Sequence, residues 1–179
     1  MELVSYQIDR DDTLTGVGDG WRDFAMSNGA PYLADHVLGR NLFEFIIDAT
    51  TRHIYRDLLA GVRAGREVSF DYRCDSPSLR RFMRMTMTAR PQQGVAFRSL
   101  TVRTEPRVPA TPDLGATPTG NPLLVVCSWC KRVSVQDEWL EMEAVIERLG
   151  LFTADAPPAL THGACPACYE RIMAALDVA

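Results

Sequence analysis

The chain has 179 residues, a net charge of −4, and 46% hydrophobic and 23% charged residues, proportions that are typical of a folded globular protein rather than a disordered one. No apolar run approaches the roughly 18–20 residues of a membrane helix. The acidic start, MELVSYQIDRDD, lacks the apolar segment of a secretory signal. We therefore expect a cytoplasmic protein with no membrane partner, in which the five cysteines are reduced.

The first half of the chain begins with two strand-like runs and continues with helices. Residues 3–9 and 13–19 form a plausible hairpin, and GWRDFAMSNGA then places apolar side chains at helical spacing. A short apolar turn, LFEFI, precedes a helix over residues 49–65. One face of that helix carries four apolar residues, Ile54, Leu58, Leu59 and Val62.

Three runs of period two follow this helix: EVSFDYRC, RFMRMTMTA and GVAFRSLTVRT. In the second run Met83, Met85 and Met87 share a face, which predicts core or cavity-lining side chains. In the first run Cys74 shares the inner face, where an inert thiol is favoured over a reactive one. The order β-β-α-α-α-β-β-β predicts an α+β fold, with helices inserted between strands two and three of a five-stranded antiparallel sheet.

This order, together with DGWRDFAMSNG, VLGRNLFEFI and the long helix before three closing strands, resembles a PAS domain over residues 3–104. The resemblance implies a sensory or protein-interaction module that can enclose a small ligand, here unidentified, and that is seldom an enzyme. Leu42 occupies the place of the adduct cysteine in flavin-binding relatives, so no flavin adduct is expected. His53 lies where haem-binding relatives carry an axial histidine, although a solvated histidine between two arginines is favoured.

A proline-rich stretch separates this region from the tail. Residues 105–122 contain five prolines and almost no apolar periodicity, which is typical of a semi-extended linker. We therefore predict three segments: a PAS-like sensor domain over 1–104, a linker over 105–122 and a C-terminal module over 123–179.

The tail contains two C-x-x-C pairs with 34 residues between them. Four thiolates at about 2.3 Å satisfy tetrahedral Zn²⁺, and a two-residue spacer lets both sulfurs of a pair reach one ion. The predicted ligands of a structural zinc ion are Cys127, Cys130, Cys165 and Cys168. A redox dithiol, indicated by CPAC, another thiophilic metal and unliganded cysteines remain alternatives.

The residues around the cysteines favour the metal. LLVVCSWCKRV predicts a strand that enters a tight turn, and Pro166 opens a helix whose N-terminus stabilises thiolates. A further helix is predicted from an Asp137 cap to Gly150, with a buried stripe of Trp139, Met142, Ile146 and Leu149. The arrangement resembles a treble-clef zinc module, and CxWC…HGxCPxC is similar to tails of bacterial sensory proteins that carry PAS domains.

One histidine of the tail and a group of arginines in the first half of the chain have two interpretations each. His162, three residues before Cys165, is a possible alternative ligand, although a hydrogen bond to the ligands or a turn is favoured. The arginines around RCDSPSLRRFMRM form either a solvated strand edge or a surface for an anion or acidic partner. That surface would consist of Arg73, Arg80, Arg81 and Arg84, with Arg81 partly exposed.

These features predict a cytoplasmic, bacterial-type signalling protein without catalytic activity. No kinase, cyclase or helix-turn-helix segment is visible, so we expect output through another signalling protein or through self-association. A thiol–disulfide switch or enzyme, and a zinc-containing transcription-associated regulator, are the alternatives. The tail, residues 121–179, has 4 basic and 8 acidic residues, which makes nucleic acid an unfavourable partner.

Overall fold

The computed structural model describes residues 2–76, 78–107, 123–149 and 159–177. The first sheet is antiparallel throughout, with the strand order β2-β1-β5-β4-β3. Its five strands, in chain order, are β1 (Leu3–Ile8), β2 (Leu14–Val17), β3 (Val68–Arg73), β4 (Leu79–Ala89) and β5 (Val95–Pro106).

The helices between β2 and β3 confirm the α+β prediction. They are α1 (Trp21–Ser27), α2 (Tyr32–Asp35), a 3-10 turn (Leu42–Glu44) and α3 (Ala49–Arg63). Asn41 caps the 3-10 turn by accepting the Phe43 N–H at 2.9 Å. Asp48 caps α3 by accepting the Thr51 N–H at 2.6 Å, so both elements begin where a side chain satisfies a free backbone donor.

Helix α3 packs its apolar face against the inner face of the sheet. The four residues predicted for that face, Ile54, Leu58, Leu59 and Val62, are buried. They lie in one cluster with Met85 and Met87 of β4, and Met83 is also buried. The methionine stripe is therefore part of the core, as its period of two predicted.

The tail forms a second sheet with the order β8-β7-β6-β9. Strands β6 and β9 are parallel and the other pairs are antiparallel. The tail elements are β6 (Leu124–Cys127), β7 (Val133–Val135), β8 (Glu138–Leu140), α4 (Met142–Leu149), β9 (Leu160–Gly163) and α5 (Pro166–Asp177).

The prediction of a helix starting at Asp137 is wrong. Gln136 and Asp137 have φ values of 48° and 69°, the positive values that a tight two-residue hairpin turn requires. Trp139 therefore lies in β8, and α4 begins only at Met142. The predicted end of that helix, Gly150, lies outside the described residues.

The tail and the first sheet share a hydrophobic core. Ile172 and Leu176 of α5, together with Trp129, belong to the same buried cluster as Ile54 and Leu58 of α3. The first sheet with its helices and the tail therefore pack together along this contact. A smaller cluster lies within the tail sheet and comprises Leu124, Val126, Val133, Val135 and Val145.

The three predicted segment boundaries stay a prediction. Strand β5 continues to Pro106, two residues past the predicted end of the first segment. Most of the predicted linker, residues 108–122, lies outside the described part of the chain. Within the described ranges, no helix combines the length and the apolar character needed to cross a membrane.

Candidate metal centre

A tight turn after β6 brings the first two cysteines together. The Cys127 N–H donates to the Arg132 carbonyl at 2.7 Å, and the Lys131 N–H donates to the Cys127 carbonyl at 3.0 Å. Lys131 has a φ of 62°, in the left-handed region that lets the chain reverse so sharply. As a result, the Cys130 side chain lies beside that of Cys127.

The second pair reaches the first through β9 and α5. Because β9 runs parallel to β6, with Gly163 opposite Cys127, the chain leaves β9 beside the turn. Pro166 is the first residue of α5, as predicted, so Cys165 precedes the helix and Cys168 lies in its first turn. Residues 38 positions apart, Cys165 and Cys127, are thereby linked by a 3.4 Å contact from the Cys165 N–H to the Cys127 Sγ.

The four cysteines of the two pairs form one compact cluster. Their Sγ atoms all lie within 4.8 Å of one another, and Cys130 is the only member that is not buried. None of the five cysteines forms a disulfide. The Cys130 and Cys165 Sγ atoms are 3.8 Å apart. A tetrahedron with about 2.3 Å from centre to vertex has edges of about 3.8 Å, so this donor set fits a tetrahedral metal ion.

Hydrogen bonds within the cluster favour an ionised sulfur at Cys127. Donation from the Cys130 and Cys168 thiols, reinforced by backbone N–H groups, holds the pKa of Cys127 well below its ordinary value. The same contact with Cys127 raises the pKa of Cys130 to about 11 and raises that of Cys168. A metal ion binding here displaces the remaining thiol protons, so its affinity depends on pH.

Basic groups lie next to the sulfurs. The Arg171 Nη2 donates to the Cys168 Sγ at 3.5 Å and to the Asp71 carbonyl at 3.1 Å. The Lys131 Nζ donates to the Ser128 carbonyl at 2.7 Å. These cations offset the negative charge that four thiolates carry around a divalent ion.

The two histidines singled out in the sequence lie outside the cluster. His162, in β9 opposite Val126, is not part of the four-cysteine cluster, and its role beside the site stays a prediction. Burial, aided by the charge of Lys131, lowers the pKa of His162. His53 has a side chain that is 69% exposed and lies 3.6 Å from Asp57, a solvent-facing position that does not match a haem ligand.

The predicted arginine surface is largely internal. Arg73 is buried and paired with Asp75 and Glu141. Arg81 is 7% exposed and donates to the Asn28 side chain at 2.7 Å, so the expectation that it is partly exposed is wrong. Its guanidinium points toward the end of α1, where burial is compensated by that hydrogen bond.

The other two arginines differ in exposure. Arg80 is mostly covered, with carboxylates of Glu141 and Glu143 at 3.4 and 3.3 Å. Arg84 is 55% exposed and forms an ion pair with Asp71 at 2.7 Å. Arg84 is therefore the member of the predicted set that remains available at the surface.

Several residues that join the tail to the sheet were missed in the sequence. The Trp129 carbonyl accepts the Arg73 N–H at 2.6 Å, and the Thr51 and Ser128 hydroxyls lie 2.8 Å apart. Thr51 and Ser128 are 77 positions apart, so no local pattern connects them. The single available signal was the tryptophan inside CSWC, a large apolar residue in an otherwise polar turn.

No protein-family model matches this chain, and no curated protein is similar enough in sequence to match it. Similar solved structures include the photoactive yellow protein domain from the sensor histidine kinase Ppr of Rhodospirillum centenum, with a TM-score of 0.41 and 14% identity over 55% of this chain and 91% of that chain. The strand order β2-β1-β5-β4-β3 defines the fold of the first sheet independently of this similarity.

Proposed function

We propose that the protein is a non-catalytic signalling module in which a PAS-like sensory domain is joined to a zinc-stabilised tail. The observation that carries the proposal is the position of the four-cysteine cluster. Cys127, Cys165 and Cys168 are members of the same buried cluster as Ile54 and Leu58 of α3. The cysteine cluster therefore lies where the first sheet and its helices meet the tail, and a metal ion bound there would join the two.

The role we assign to the metal is structural. Four protein thiolates fill a tetrahedral coordination shell, which leaves no position for a substrate. We assign zinc to this site because zinc binds sulfur ligands in tetrahedral geometry and undergoes no redox change. Three of the four cysteines are buried, which suits a permanent site rather than an exchanging dithiol.

The shared core supports a sensory role for the first region. Helix α3 packs on the inner face of the first sheet and also contacts α5 of the tail. A ligand that shifts α3 would therefore change the packing of α5. We propose that this change is read in the cytoplasm by another signalling protein or by a second copy of the chain, with Arg84 on the exposed face of the contact surface.

The test is native mass spectrometry of the intact chain. We expect one zinc ion per chain, lost in Cys127→Ser and Cys165→Ser and retained in the matched control Cys74→Ser, since Cys74 lies outside the cluster. A chain that binds no zinc, or an iron–sulfur cluster in its place, would contradict the proposal. Catalytic reduction of a model disulfide by zinc-free protein would instead favour the thiol-enzyme alternative.

A further inference from the structure

A cavity of about 310 Å³ lies between the PAS-like region and the turn that carries Cys127 and Cys130. Its walls come from the start of α3, from β3 and from the cysteine turn, so neither the sensory fold nor the tail forms it alone. This volume is at the lower end of the range for small-molecule sites. The cavity is distinct from the metal cluster, because the four ligating cysteines do not line it.

Aromatic rings form much of its wall. Phe45 and Tyr55 line it from the helical side, Tyr72 from β3, and Trp129 from the cysteine turn. The Tyr72 hydroxyl donates its hydrogen bond to the Ser99 hydroxyl at 2.9 Å, so it has no proton left to donate to a ligand. Side chains arranged in this way favour a flat apolar ligand, because aromatic faces and edges pack closely on another ring.

One cation of the cavity has no carboxylate partner within the described ranges of the chain. Lys131 is the only lysine of the chain and lines this cavity. Its Nζ donates to the Ser128 carbonyl, yet among the described residues no carboxylate approaches it within ion-pair distance. An ammonium carries three donors, so two remain. By contrast, Arg73 lines the same cavity and is paired with Asp75 and Glu141.

An acidic side chain of the cavity wall is already engaged in a hydrogen bond. Asp48 also lines the cavity, and its carboxylate caps α3 through the Thr51 N–H. The cavity therefore combines aromatic walls with a cation that, among the described residues, has no carboxylate within ion-pair distance. A cation in such partly desolvated surroundings binds an anion more strongly than it would in water.

We propose that this cavity binds a small aromatic carboxylate, with the ring among Tyr55, Tyr72 and Trp129 and the carboxylate on the Lys131 ammonium. The inference deepens the proposed sensory function and rests on it, because it names the ligand class that the sensor detects. Trp129 and Lys131 belong to the turn whose shape the metal fixes. Zinc and the carboxylate therefore each strengthen binding of the other, since such coupling is reciprocal.

The test uses the zinc-loaded full chain and calorimetric titration with benzoate and its neutral analogue benzamide. We expect benzoate to bind at least tenfold more tightly than benzamide. Lys131→Met should remove this preference. The matched control is Arg132→Met, which removes the neighbouring cation outside the cavity and should keep the preference.

Ligand binding by the wild-type chain provides a second test of the proposed site. Benzoate should shift the nuclear magnetic resonance signals of the Trp129 indole and of the Lys131 amide. Equal affinities for benzoate and benzamide, binding of neither, or benzoate binding without these shifts would overturn the inference. Zinc content is measured separately, so an absent ligand with zinc retained contradicts the ligand site alone, whereas an absent zinc ion contradicts the proposed function.

Discussion

The guanidinium of Arg73, at the end of β3, holds the carboxylate of Glu141, which directly precedes α4 in the tail. The Arg73 Nη1 lies 2.7 and 3.0 Å from the two Glu141 oxygens. The Arg73 side chain is 8% exposed and that of Glu141 is 33% exposed. Arg80 and Arg132 also approach Glu141, so one carboxylate joins three arginines of the sheet and the tail.

Removing the charge of Glu141 should destabilise the protein. Glu141→Gln leaves the buried Arg73 with Asp75 as its remaining partner, and we expect the free energy of unfolding to fall by about 1–2 kcal/mol, discounted for the partial exposure of Glu141. Urea unfolding of the wild type and the variant measures this change in the free energy of unfolding. The matched control is Glu138→Gln, which removes an exposed pair with Arg148 and should cost much less. Equal losses in both variants would contradict a special role for the Arg73 contact.

The same carboxylate should give stability a dependence on pH. Burial opposes ionisation of Glu141, but hydrogen bonds and charge from Arg73 outweigh it and lower the pKa below the ordinary 4.5. The native state therefore binds fewer protons than the unfolded state in acid. This stability is complete above pH 4.5 and is lost as pH falls through the lowered folded pKa.

The dependence is checked by melting temperatures between about pH 3 and 7 for the wild type and for Glu141→Gln. We expect the two melting temperatures to converge as pH falls, because the wild type loses a contribution that the variant lacks. A difference that stays constant down to pH 3 would show that the ionisation of Glu141 contributes nothing.

Removal of the metal should loosen α3 as well as α5. Ile172 of α5 is fully buried in the cluster that contains Ile54 and Leu58, so loss of the metal-held tail exposes part of the α3 face. Hydrogen–deuterium exchange with and without a chelator measures this. We expect faster exchange in both helices, with the β1–β2 hairpin as the internal reference. Unchanged protection of α3, with protection of α5 lost, would mean that the two regions fold independently.

The contact between α5 and α3 should also be sensitive to cavity formation. Ile172→Ala should reduce the free energy of unfolding by about 2–5 kcal/mol, while Ile172→Val should cost about 0.5–1.5 kcal/mol. Chemical denaturation followed by the tryptophan signal gives both values. Ala174, exposed on the same helix, offers the control Ala174→Ser, which should change stability little. A small effect of Ile172→Ala would show that the shared core contributes little.

The thiols should differ in reactivity with the metal present. Burial raises the pKa of Cys74, so its thiol should react slowly with an aromatic disulfide reagent at neutral pH. The ligating cysteines should react only after a chelator is added. Counting released thiolate by absorbance tests this, with four fast equivalents expected after chelation. Fast reaction of the loaded protein, absent in Cys74→Ser, would mean that Cys74 is accessible.

The local patterns of the sequence predicted most of the elements and the four-cysteine cluster. Two strand-like runs predicted the first two strands of the first sheet. Period-two spacing predicted its other three strands and helical spacing predicted the apolar face of α3, since side-chain direction follows backbone period. The two C-x-x-C pairs predicted the cysteine cluster because a two-residue spacer brings both sulfurs to one point. The helix from Asp137 was mispredicted because apolar spacing alone did not reveal the turn at Gln136.

Only the tertiary structure decided how the tail meets the sheet. From the sequence, Arg73 and Arg81 were expected at the surface. In the structure both are buried, Arg73 against Glu141 of the tail and Arg81 against Asn28 at the end of α1. The contact of Thr51 with Ser128 and the cavity around Lys131 join positions far apart in the chain. Spacing along the chain encodes the local direction of a side chain, whereas burial and pairing between distant segments depend on how the elements pack.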